Sequence, residues 1–77
     1  MKMTDKMAKV ITVNIKMNRK QTMTIVTAVD PIVTPEMVCR MAGIRGQLVS
    51  SEVSNIMPLP MALDYSRNMQ KKIGIIR

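Results

Sequence analysis

The side chains best suited to chemistry in this chain are its cations. Histidine is absent and Cys39 is the one cysteine, so the commonest metal ligand and general base is missing and no internal disulfide or multi-cysteine zinc site can form. Without an imidazole to activate it, Cys39 reads as a small apolar helix residue rather than a nucleophile. The acids Asp5, Asp30, Glu36, Glu52 and Asp64 are too scattered for a paired-carboxylate site, and the chain is read as a non-enzyme with no cofactor and no metal. Against these five acids stand 12 Lys and Arg, a net charge of +7. Lys6, Lys9, Lys16, Arg19 and Lys20 fall in one acid-free stretch between Asp5 and Asp30; Arg67, Lys71, Lys72 and Arg77 follow Asp64 in another. Clustered positive charge is the electrostatic footprint of a polyanion binder, although basic surfaces also aid solubility or meet an acidic protein.

Positioning these cations falls to a small scaffold. At 77 residues there is room for one domain, spanning 1–77, and a chain of this length buries only about 60% of its unfolded surface, which makes help from a second copy reasonable. Val, Ile and ten Met supply the apolar fraction, with Tyr65 as the lone aromatic, so the core packs adaptably. No signal-peptide pattern follows "MKMTDKMAKV", and the longest largely apolar run, "IMPLPMAL", is too short to span a bilayer; the expectation is a soluble cytoplasmic protein without a membrane partner.

Residues 1–7 read as a flexible leader. From Ala8 to Met17 the chain alternates, with Ile11, Val13, Ile15 and Met17 on one face and Thr12, Asn14 and Lys16 on the other, the pattern of a half-buried strand. Beyond Asn18, a reasonable N-cap, two patterns compete. Thr22, Ile25, Val26 and Val29 recur at helical spacing, whereas the crowd of β-branched residues favours a hairpin turning at "NRKQ". The helix is preferred for the family pattern described below, and the hairpin stays open.

Asp30-Pro31 breaks that element. Thr34 caps the next helix with Pro35 at its first position; Met37, Val38, Met41 and Ala42 form its apolar face and Gly43 ends it. After a turn at Ile44 to Gln47, a third helix is expected from Leu48 to Met57, with Val49, Val53, Ile56 and Met57 inward. Pro58 and Pro60 stop it. The remainder reads as strand "MALDY", basic loop "SRNMQKK" and strand "IGIIR".

In this order, "NRKQTMTIVTAVDPIVTPEMVCRMAGIRGQLVSSEVSNIM" and the hairpin after it resemble the winged helix-turn-helix family of DNA-binding domains over residues 18–77. Cys39 takes a place where that family usually has Ala, Gly43 follows four residues on, and Ile44 and Val49 fall where its core residues lie. The resemblance implies an α/β (α+β) fold with three short helices, a helical part over 18–57, the helix-turn-helix over 34–57, a β-hairpin wing over 61–77 and an extra N-terminal strand. It also implies a sequence-specific regulator of transcription that binds double-stranded DNA, with the third helix in the major groove and the wing on the backbone. Arg45, Gln47, Ser50, Ser51, Ser54 and Asn55 then face the groove, and Arg67, Lys71 and Lys72 are the wing contacts. Gln47 and Asn55 could pair with adenine and Arg45 with guanine, while Lys and Arg neutralise phosphates. A homodimer through the N-terminal strand or first helix accompanies this expectation. The alternative is a phage or mobile-element interaction module or inhibitor that docks on an acidic host protein, through an unpaired N-terminal strand or a Met-rich surface.

Overall fold

The computed structural model describes residues 6–43 and 45–73. In chain order the elements are β1 (Met7–Lys16), β2 (Thr22–Val29), α1 (Pro35–Met41), β3 (Gln47–Val53), the two-residue β4 (Met57–Pro58) and α2 (Leu59–Ile73). The strands make one antiparallel sheet in the order β2-β1-β3, and β4 pairs with the start of β1. Two helices cover it. The class is α+β, but the three-helix winged helix-turn-helix arrangement is not formed.

β1 is the spine of the molecule. Its register runs from Lys9↔Val29 to Lys16↔Thr22 on one side and from Ile11↔Val53 to Lys16↔Gln47 on the other. The expected alternation is present, but both faces are covered. Ile11, Val13 and Ile15 pack under Val33 and Val38 on the α1 side, while Ala8 and Val10 pack with Val26 beneath Ala62 of α2. A strand that looks half-buried in sequence is thus buried from Val10 to Val13, with only Asn14 and Lys16 emerging from its polar face. Being central, β1 is paired on both sides, so the unpaired N-terminal edge expected for a partner is absent among the described residues.

The hairpin, and not the preferred first helix, is what forms between residues 17 and 30. Asn18 does not cap a helix. Its Oδ1 accepts hydrogen bonds from the backbone N–H groups of Lys20 (3.0 Å) and Gln21 (3.1 Å), closing the "NRKQ" turn, and Met17 N–H reaches Gln21 O at 2.9 Å. β-branched side chains then fit the pleated surface of β2 better than a helix, and pairing with β1 decides the matter.

α1 matches its sequence signals closely. Thr34 Oγ1 accepts from Met37 N–H at 3.2 Å, Pro35 opens the first turn, and the helix stops at Gly43, which takes φ 68°. Of its expected apolar face only Val38 is buried, and Met37 and Met41 remain exposed. Ile44, expected in the core, lies outside the described residues.

The expected third helix is β3 followed by a loop and β4. Val49, Val53 and Ile56 fit helical spacing, yet Val49 is 60% and Val53 49% exposed, because the segment pairs with the open side of β1 in place of burying an apolar stripe. Gly46 permits this entry. A Cβ there would meet Ile15 Cγ2 and come within 2.9 Å of Lys16 O. The register shift between Asn14 and Ile15 marks a bulge in the same stretch.

The expected wing is α2, so "MALDY" and "SRNMQKK" are helical; the end of "IGIIR" lies outside the described residues, as do residues 1–5 of the expected leader, whose Met7 already belongs to β1. Pro60, read as a stop, sits in the first turn of α2, where a missing N–H costs nothing. Ala62, Ser66 and Met69 then recur on the sheet-facing side, and the small residues let the helix lie close to β1 and β2. Among the described residues no helix is long and apolar enough to cross a membrane.

Candidate nucleic-acid interface

Cations collect where the β1–β2 hairpin turns. Lys16 ends β1, Arg19 and Lys20 form the turn, and Gln47, paired with Lys16, brings Arg45 to the same end of the sheet. Arg40 lies in the last turn of α1, which leads into this region. All five cations are exposed. The one ion pair among the described residues is Arg67–Asp64, at 3.9 Å on the surface of α2, so none of the five is engaged by a carboxylate there. Asp30 follows Val29 at the opposite end of the sheet, and Glu36 opens α1 beyond it. Lys9, paired with Val29 at that end, donates from Nζ to Pro31 O at 2.6 Å, so both signs meet there, whereas the hairpin end carries cations alone among the described residues.

The same end carries a polar sheet face. α2 covers the Ala8–Val10 half of that face and reaches Val26, whose carbonyl accepts from Gln70 Nε2 at 2.7 Å. Past this point Thr24 Oγ1 donates to Asn14 Oδ1 at 2.7 Å and Asn14 Nδ2 donates to Ser50 Oγ at 2.9 Å, a row across β2, β1 and β3. These bonds fix the row, and Lys16, Thr22 and Gln47 lie exposed beyond it. The asparagine-pinned turn holds Arg19 and Lys20 at the tip.

The site residues expected from sequence are divided by this geometry. Arg45, Gln47 and Ser50 belong to the basic end. Ser51, opposite Val13, faces the other side of the sheet, as strand alternation requires. Ser54 is structural: its Oγ accepts from Val10 N–H at 2.8 Å and its N–H donates to Val10 O at 2.9 Å, tying the loop after β3 to β1. Asn55 lies in that loop beside Met57 and Met61, and Arg67 pairs with Asp64 on α2, both apart from the basic end. Lys71 is exposed near the end of α2, and Lys72 follows it in the same helix.

Lys16, Arg19, Lys20 and Arg40 were not among the expected contacts, nor were Asn14 and Thr24. The signal for the first three was present in the acid-free stretch before Asp30, and the hairpin alternative would have put them at a tip. Arg40 and the Asn14 row depend on which strands pair, which no local pattern announces.

Fold and site together define a small α+β domain with one basic, polar end to its sheet. Comparison with protein-family models, with curated protein sequences and with solved structures finds no match for the chain.

Proposed function

We propose that this protein binds double-stranded DNA as a small regulator, using the hairpin end of its sheet in place of a recognition helix. The observation that carries the reading is the set of exposed cations that strand pairing puts at one end, Lys16, Arg19, Lys20 and Arg45, with Arg40 in the helix turn that precedes Arg45, none with a carboxylate partner among the described residues. Such a cluster gains most from phosphates, whose condensed counterions are released on contact. The major groove admits a two-stranded β-ribbon, and short polar side chains such as Thr22 and Thr24 allow its close approach. Gln47 and Lys16, free beyond the hydrogen-bonded row, are the side chains able to reach base edges; Gln suits adenine and Lys suits guanine. Stacking on single strands is disfavoured because Tyr65, the one aromatic, lies on α2 away from this end.

The test is fluorescence anisotropy with random-sequence duplex DNA over a salt series from about 50 to about 200 mM, a range in which six or more phosphate contacts lose about a thousandfold in affinity. Replacing Lys16, Arg19 and Lys20 together by Ala should weaken binding to every sequence and flatten the salt slope by about 2.7, at about 0.9 for each phosphate contact. Arg67→Ala should leave the slope unchanged. Absence of binding at the lowest salt, or a triple variant that keeps the wild-type slope, would refute the reading.

A further inference from the structure

Next to the Asn14–Ser50 row, toward the start of β1, the α2-facing side of the sheet holds a different surface. Between α2 and β3 lies a hollow of about 310 Å³, floored by Val10 and Thr12 and walled by Glu52, Tyr65 and Met69. It meets at Tyr65 a shallower hollow of about 550 Å³ that includes Met61 and Asp64. Among the described residues no Lys or Arg lines either hollow, although the chain carries +7, whereas two of its five acids do, Glu52 and the Asp64 that pairs with Arg67. Glu52 has no ion-pair partner among the described residues.

The strand edge that borders this trough, that of β3, pairs with no further strand among the described residues. Val10 exchanges backbone and hydroxyl bonds with Ser54, so the even-numbered residues of β1 bond toward β3. By the alternation of an antiparallel ladder, Ser50 and Glu52, opposite Asn14 and Thr12, then face β1, and the N–H and C=O of Ser51 point away from the sheet. The other edge is different. In β2 the outward carbonyl of Val26 is taken by Gln70, and Val26 itself is buried. Every residue of β3 except Leu48 is exposed.

We infer that β3 and the adjoining trough form a docking site for an extended cationic peptide segment of another protein. The peptide adds a strand to the β3 edge, bonding through its main chain. On the trough side its cationic side chains meet the Glu52 carboxylate and the face of Tyr65, while apolar side chains alternate with them. Charge complementarity is local and opposes the net charge of the molecule, which makes it separable from general attraction: a +7 protein draws anionic peptides by its overall field, so preference for a cationic one must arise in the trough.

The experiment uses the full chain and fluorescein-labelled peptides of about nine residues, within the usual range of strand lengths, alternating Lys with Val or Glu with Val. The Lys/Val peptide should bind and the Glu/Val peptide should bind at least tenfold more weakly. Glu52→Lys should weaken the Lys/Val peptide at least tenfold. Ser51→Pro should do the same, because the proline removes an outward N–H and leaves the β1 ladder intact. Should Ser51→Pro not fold, a Lys/Val peptide N-methylated at alternate residues tests strand addition on the wild-type protein, and it should fail to bind. A Glu/Val peptide that binds as well as Lys/Val, unchanged affinity in Glu52→Lys, or full affinity of the N-methylated peptide would overturn the proposal.

Discussion

Val10→Ala and Val13→Ala form a matched pair that tests whether β1 is buried on both faces. Val13 faces the α1 cluster at 0% exposure; Val10 faces α2 at 2%. Each substitution removes two methyl carbons from a packed site. At about 0.8 kcal/mol per buried carbon the transfer loss is about 1.6 kcal/mol, and incomplete collapse of the cavity raises it to about 2 kcal/mol. A domain of 77 residues has a total stability of about 4 to 12 kcal/mol, so either change is a large fraction of it. Both variants should lose comparable amounts in urea unfolding followed by far-UV circular dichroism, with unchanged m-values and midpoints displaced together. In a half-buried strand only the Val13 change would cost this much. A Val10→Ala loss below about 0.5 kcal/mol, the range of ordinary surface substitutions, would refute the packing of α2 on β1.

Two further outcomes probe how the strands and helix are placed. Gly46→Ala should destabilise the protein by about 1 to 3 kcal/mol in the same assay, since its Cβ would press on Ile15 and on the Lys16 carbonyl; a neutral result would show that β3 does not approach β1 this closely at its start. Thr34→Ala should cost about 1 kcal/mol by removing the acceptor for Met37 N–H, with Thr34→Ser retaining most of the stability.

Parts of the fold are legible in the residues because their signals are local. The alternation from Ala8 to Met17 identifies β1, and Thr34, Pro35 and Gly43 mark both ends of α1, since a cap and a left-handed stop depend on a few neighbouring atoms. β2 and β3 are harder to read. Ile25, Val26 and Val29, like Val49, Val53 and Ile56, satisfy helical spacing and strand composition equally, and the tie is broken by the two open sides of β1. α2 is obscured by Pro60, which signals a stop when read from the preceding segment and a first turn when read from the helix it begins.

The candidate site divides in the same way. An excess of cations, the acid-free stretch before Asp30 and the lack of histidine are properties of composition, legible without any structure, and they are where the proposed polyanion binding begins. Which cations stand together is a matter of register. Pairing Lys16 with both Thr22 and Gln47 joins Arg45 to Arg19 and Lys20, and strand alternation sends Ser50 and Ser51 to opposite faces. The sequence by itself therefore determined the charge, the presence of the first strand and the capped helix, because each is set by composition or by a few neighbouring residues. Only the tertiary structure decided the states of β2, β3 and α2 and the location of the basic end, because those depend on hydrogen bonds and burial between segments far apart in the chain.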